Sequence, residues 1–500
     1  MEEKQLKRNL ILFPVGTIGR DAIYYLFTNC IMTFVLFTRT LTNAQFGAIT
    51  AIVVAARIFD GLNDPIMGNI IEQTRTRWGK FKPWLVIGII STSVVVYLAF
   101  NTNLQGWSFV WFFGIIYFLY SITYTMHDIS YWGLIPALSS DANRRNQFTS
   151  RATLCAGIGG TLASVLIPMY TIGSSAIGGN TASAYGTIAL ITCILAPLFL
   201  SFTIFGVREH RDDKPAEVKA FNFKEVIQTL TKNDQVKWIA LIFLIQQIGN
   251  GLIIGGLGAT YIYFDYGYEG GLFSTFSIIG MFPTALLMIF YPAISRKIHR
   301  KDLMKIMAGI AMVGYGLMLI AAFFLPSSMM KFWVVVAGYA LSNFGQYCYY
   351  LIMMISIINT VEYNEYKFGK REEAIISSLR PFLTKLGSAL IVLLTNLSYI
   401  IFGVTRYTNQ ISDLENQAAR NLITESDKLT AISDVVHSAT HGEVMELLLF
   451  MAIVPAVCML LAYVLYKKHY KLDEEEYDRI CKELEARKQN SNLRKCPRDR

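Results

Sequence analysis

Twelve apolar runs, each long enough to cross a bilayer, leave this 500-residue chain little choice of where to fold; they lie at roughly 9–37, 46–71, 84–100, 107–134, 149–172, 184–207, 237–264, 271–295, 303–325, 332–360, 374–402 and 443–466. Lipid offers backbone N–H and C=O groups no partner, so such runs fold as spanning helices. Composition agrees, with 53% hydrophobic and 16% charged residues against about 25% charged in a soluble protein. Disorder, a collagen-like repeat and a disulfide scaffold are excluded on the same ground. The expected fold class is an all-α integral membrane protein with twelve transmembrane helices.

The net charge of +9 follows membrane topology rather than a nucleic-acid groove, and no nucleic-acid partner is expected. Basic residues fall in alternate connections: Arg75, Arg77, Lys80 and Lys82 after the second run, Arg144 and Arg145 after the fourth, Arg208, Arg211 and Lys214 after the sixth, and Arg296, Lys297, Arg300 and Lys301 after the eighth. The connections 101–106, 173–183 and 265–270 carry none. By the positive-inside rule both termini are cytoplasmic; a plasma-membrane location is expected. The N-terminus, MEEKQLKRNL, lacks a cleavable signal pattern, and the run after it holds Arg20 and Asp21; it reads as a retained first span. The seven cysteines are scattered without metal-binding spacing and read as small core residues.

The polar stretch 208–236 divides the spans six and six, giving a first six-helix bundle over 1–207, a cytoplasmic central loop, and a second bundle over 237–466. Two such halves suit a transporter with a site near the midplane that opens alternately to each side. An outer loop at 403–442 contains a stretch, ISDLENQAARNLITESDKL, that reads as a short surface helix. The tail, 467–500, reads as a cytoplasmic helix with a disordered end.

Ionisable residues inside the runs carry the functional information: Arg20, Asp21, Arg57, Asp60, Asp64, Asp128, Arg151 and Lys385. Facing lipid, the set would cost on the order of 20 kcal/mol, so its members face one another or water. In RIFDGLNDPIMG, Asp60 and Asp64 are four residues apart, about 40° around a helix. Two such carboxylates ionise together only with a cation between them, which fits sodium or a shared proton. Asn63 and Thr125 are candidates to complete the oxygen shell. The alternative is an Arg57–Asp60 helix pair with Asp64 capping a turn before Pro65. The run YSITYTMHDISYWGLIP sets Tyr124, Asp128 and Trp132 on one helix face. An aromatic ring beside a carboxylate suits a sugar, stacking on its apolar face and accepting its hydroxyls; an aromatic stripe by itself reads as packing. Arg20, Asp21 and Arg151 are further donors and acceptors, His127 reads as a packing residue, and Lys385, about 16 Å deep in the eleventh run, needs a carboxylate partner.

At these residues the chain resembles the glycoside-pentoside-hexuronide:cation symporter family of the major facilitator superfamily, typified by melibiose permease. The resemblance is strongest in ARIFDGLNDPIMGNIIEQTRTRWGKFKPW (56–84) and TYTMHDISYWGLIP (123–136), and extends across nearly all twelve runs. It implies a major facilitator fold of two six-helix bundles and symport of a sugar, glycoside or hexuronide with Na+ or H+. By motif it implies a cation site at Asp60, Asp64, Asn63 and Thr125, and substrate binding by Arg20, Asp21, Tyr124, Asp128, Trp132, Arg151 and Lys385. Arg145, Arg300 and Glu362 resemble gate charges. Monomeric function, no cofactor and no metal beyond the coupling ion are also implied. Two departures stand out: Arg380 and Pro381 replace an amide and a hydroxyl residue before Lys385, and Ser121 replaces a glycine near the cation site. The extra cation at Arg380 makes an anionic hexuronide the first substrate expectation. Another amphipathic solute such as a lysolipid, or a non-transporting membrane sensor, is the alternative function. No GxSxG, HExxH or Walker pattern is present, so an enzyme is not expected.

Overall fold

The computed structural model describes residues 2–139, 141–207, 232–369 and 372–495. The connection 208–231, with Arg208, Arg211 and Lys214, lies outside the described residues, as does the end of the tail from 496. Among the described residues twelve helices are long and apolar enough to span a membrane, and each overlaps one of the twelve apolar runs.

The first six are α1 (Glu2–Thr38), α2 (Asn43–Gln73), α3 (Lys82–Phe100), α4 (Gly106–Leu138), α5 (Ala142–Thr171) and α6 (Thr181–Gly206). Local chemistry sets their ends. Thr42 and Gln45 form a reciprocal capping box at the start of α2, and Asn180 accepts from Ser183 N at 2.8 Å at the start of α6. The seventh span is interrupted: α7 (Asp234–Gly251) leads into a π turn (Ile253–Leu257) and then α8 (Gly258–Tyr266). In that turn Gly256 takes φ 133°, a conformation that side chains avoid. The glycines of GNGLIIGGLG (249–258), small enough for close helix packing, thus also supply a break in the helix. The remaining spans are α9 (Gly270–Ser295), α10 (Arg300–Phe324), α11 (Met329–Phe368), α12 (Glu373–Ile401) and α15 (His441–His469).

The outer segment, expected to hold one short helix, forms two, α13 (Val404–Ala419) and α14 (Glu425–Ser438). Between them Asn421 adopts φ 58°, and Thr424 caps α14 by accepting from Asp427 N. The tail helix, α16 (Glu474–Lys495), packs on α11.

The chain clusters into two compact units. One gathers α1–α6 with Ile253–Ile278 and Ile391–Leu447; the other gathers α7, Ile279–Leu390 and the chain from Leu448. At the centre of the first unit α1 lies against both α5 and α6. Small residues set these crossings, as between helices in lipid. A Cβ on Gly159 would sit 2.3 Å from the Ile18 carbonyl oxygen, and one on Gly19 would sit 2.7 Å from Ala196 Cα. Backbone contact at Ile18 and Gly19 carries the adjoining Arg20 into the interior, where it is 2% exposed. Gly159→Leu is expected to force α1 and α5 apart, costing upwards of about 1–3 kcal/mol. A lowered thermal midpoint of the purified protein in detergent checks this, and an unchanged midpoint contradicts the packing account.

Candidate functional site

Most of the charged residues singled out in the first six spans gather on two adjacent faces of α4. The first face meets α2. Ser121, 3% exposed, donates its hydroxyl to Asp60 Oδ1 at 2.5 Å. Thr125, one turn on, places Oγ1 3.4 Å from Asp60 Oδ1 and 3.3 Å from Asp64 Oδ1. Asp60 and Asp64 are half-buried and thus share a hydroxyl, as their four-residue spacing on α2 requires. Asn63 is buried beside them, and its Nδ2 donates to no group among the described residues. Carboxylates and hydroxyls are all oxygen donors, the set a hard cation prefers. Arg57, also buried, directs its guanidinium over the Tyr117 ring at 6.0 Å.

The second face meets α1. Arg20 Nε and Nη2 donate to Asp21 Oδ2 at 3.2 and 3.0 Å. Its Nη1 lies 3.0 Å from Asp128 Oδ1, but off the N–H direction, so that contact is coulombic rather than a directed hydrogen bond. The guanidinium also lies 4.7 Å from the Tyr131 ring and 5.1 Å from the Trp132 ring. Tyr131 is itself fixed, stacking on Phe13 at 4.4 Å and donating to the Phe13 carbonyl at 2.6 Å. Arg20 is thus buried and held from several sides, while Asp21 and Asp128 keep 23% and 34% of their side-chain surface open. Tyr124 packs between Tyr24, at 5.1 Å, and His127, at 4.7 Å. One guanidinium between two carboxylates leaves the cluster with a net negative charge and with acceptor oxygens turned outward.

Thr125 and Asp128 are three residues apart on α4, about 60° around the helix and about 4.5 Å along it. The oxygen cluster and the arginine-carboxylate cluster therefore share one rigid element.

Other expected residues lie apart from these clusters. Arg151 is exposed and donates to the Leu10 carbonyl at 3.2 Å, ten residues before Arg20 and about 15 Å away along α1. Lys385 is half-buried on α12 in the second unit. Arg380, on the same helix, is exposed and donates to the Tyr350 hydroxyl at 3.3 Å. Arg145 donates to the Ser139 carbonyl at 2.7 Å at the end of α4.

Arg300 and Glu362, the other residues expected as gate charges, meet the tail helix. Arg300 Nε lies 2.9 Å from Glu474 Oε1, and its backbone N–H donates to the same oxygen at 2.8 Å. Lys301 pairs with Asp473 at 2.9 Å, and Glu362 faces the Tyr477 hydroxyl. Burial opposes ionisation of Glu474, yet the Arg300 backbone and guanidinium outweigh it and hold the carboxyl below its usual range. These tail partners were missed, although LDEEEY (472–477) placed acids at the right distance after the last span. Ser121 stands out in the sequence only as a departure from the family pattern, because a serine inside an apolar run carries no signal of its own.

A family model described as MFS/sugar transport protein matches residues 12–474. The chain belongs to this family. It is a multi-pass membrane protein of the major facilitator superfamily, in the glycoside-pentoside-hexuronide group of sugar symporters. Among its relatives, the raffinose carrier protein of Pediococcus pentosaceus is 29% identical over 490 residues, covering 95% of this chain and 71% of that protein. The lactose permease of Leuconostoc lactis is 30% identical over 402 residues, covering 76% of this chain and 60% of that protein. The chain thus spans about 60–70% of the length of these two relatives. The fold is that of solved major facilitator transporters. The crystal structure of a bacterial homolog to the human lysosomal transporter Spinster superposes with a TM-score of 0.60 at 15% identity, covering 94% of this chain and 98% of that one.

Proposed function

We propose that this sugar transporter couples uptake of a neutral glycoside to an inward cation, Na+ or H+, by alternating access across the plasma membrane, with both termini cytoplasmic. The observation that carries the proposal is the sharing of α4 between two clusters. Asp60, Asp64, Ser121 and Thr125 form the cation site, and Arg20, Asp21 and Asp128 form the sugar site with Tyr124 and Trp132 beside them. A cation that draws Thr125 toward α2 repositions Asp128 one turn away, so each ligand changes the affinity of the other by the same factor. Asn63 stands beside the cation site in this reading, and Arg145, Arg300 and Glu362 act as charges at the cytoplasmic end. The sidedness is supported by the basic connections after α2, α4 and α9.

A neutral substrate fits better than the hexuronide that Arg380 suggested. The cluster on α1 and α4 already holds two carboxylates to one guanidinium, and a third carboxylate there would meet like charge. Arg380 is engaged with Tyr350. The relatives named for raffinose and lactose carry neutral sugars by name. Competition for uptake among neutral glycosides, pentosides and hexuronides tests the assignment. Neutral galactosides or glucosides are expected to compete at least about tenfold better than hexuronides, a difference of about 1.4 kcal/mol. Preferential competition by a hexuronide overturns it.

A further inference from the structure

The long connection between the last two spans is built into the side of the molecule on which it lies. Helix α13 buries one face, formed by Val404, Thr408, Ile411, Ser412 and Glu415, against α1 and α6. Asn409 bonds both backbone groups of Leu41, accepting from its N–H at 2.9 Å and donating to its carbonyl at 2.8 Å. Thr40 donates to Asp413 at 2.6 Å.

The most buried part of this seam is ionic. Glu415 is 1% exposed and Lys428, on α14, is fully buried. The Glu415 carboxylate accepts from Thr181 N at 2.8 Å and from Thr181 Oγ1 at 3.0 Å, at the first turn of α6. The Tyr268 hydroxyl lies 3.0 Å from the same Thr181 oxygen. Lys428 Nζ donates to the Gly179 carbonyl at 2.8 Å and lies 3.4 Å from Glu415. Burial pushes the Glu415 carboxyl above its usual range, against the pull of Lys428 and Thr181. One carboxylate thus joins the outer helices to the entrance of the sixth span, and Thr181 in turn meets Tyr268 after α8.

A buried ion pair is a poor device for stability alone, since apolar residues of similar volume serve as well. It is a good device for a contact that must open in every cycle. Closed, each charge is satisfied by named partners; open, each returns to water, where ions are well solvated. An apolar seam of the same area gains nothing on exposure.

We propose that α13 and α14 form a latch on the outer ends of α1 and α6, fastened by Glu415 on Thr181 and by Lys428 on Gly179, and that both fastenings must release for the carrier to face outward. The proposal rests on the sidedness and alternating access given above. A contact made in one state alone biases the equilibrium between states by its own free energy, so breaking it raises the outward-facing population.

A thiol cross-link between Thr40→Cys and Asp413→Cys tests whether this seam opens. Linked carrier is expected to lose sugar uptake by at least about tenfold and to regain it on reduction. Uptake at the unlinked rate by fully linked carrier overturns the latch, because α13 then travels with the first six spans. A second measurement needs no transport. Ser412→Cys, at a fully buried position, is exposed to a membrane-impermeant maleimide on both sides of proteoliposomes. Its labelling is expected to quicken at least about tenfold when Glu415→Gln is added, as a shift of population requires, and an unchanged rate overturns the proposal. If the reduced cysteine pair moves no sugar of any class, the symport reading fails, while the labelling rate still decides the latch.

Discussion

Asp60→Cys and Asp64→Cys are each expected to abolish cation-stimulated sugar uptake while leaving sugar binding, measured without the cation, within about threefold of the parent. The two carboxylates share the Thr125 hydroxyl, and removing either takes a charged oxygen from the proposed cation site. A charge-assisted contact is worth about 1.5–3 kcal/mol, so apparent cation affinity falls by about 10- to 100-fold. Sugar binding is spared because Arg20, Asp21 and Asp128 lie on the adjoining face of α4 and keep their own partners. Uptake against the concentration of sodium, and separately against pH, reads the first effect; equilibrium binding of labelled sugar reads the second. Cysteine variants with unaltered cation dependence would remove Asp60 and Asp64 from the cation site.

Asp21→Ala and Asp128→Ala act the other way, losing sugar binding while a cation still binds. Each removes an acceptor from the proposed sugar site and half of the counter-charge of Arg20, which is 2% exposed. Stripping a partner from a buried charge costs about 3–5 kcal/mol, and part of that cost appears as displacement of the guanidinium from the Tyr131 and Trp132 rings. Sugar affinity is expected to fall by at least about 100-fold. Cation binding, followed by protection of the protein against thermal unfolding with added sodium or by proton release, is expected to stay within about threefold. Loss of both ligands together would mean that the two clusters are one site.

The spans were legible because a membrane asks for one thing that a sequence shows directly, an uninterrupted apolar run of fixed length. The pairing of Asp60 with Asp64 was legible for a related reason: both lie on one helix, where four residues fix their angle. Contacts between helices were less so. Ser121 reaches Asp60 across α4 and α2, and Arg20 meets Asp128 across α1 and α4; composition names such residues as costly without saying which partner relieves the cost. Arg151 shows the converse, since a charge inside an apolar run ended on the backbone of Leu10. The π turn at Ile253–Leu257 was hidden because glycine serves close packing and unusual φ equally well. In the outer loop, a polar stretch with helical spacing read as a surface helix, but Glu415 and Lys428 are satisfied by residues more than two hundred positions earlier.

Sugar-induced cation movement in proteoliposomes tests the coupling of the two clusters most directly. With sodium and pH electrodes, addition of the preferred neutral glycoside is expected to start an inward flux of one cation, in fixed ratio to the sugar taken up, that Asp60→Cys and Asp64→Cys both silence. Sugar entry at full rate with neither ion moving would contradict the account.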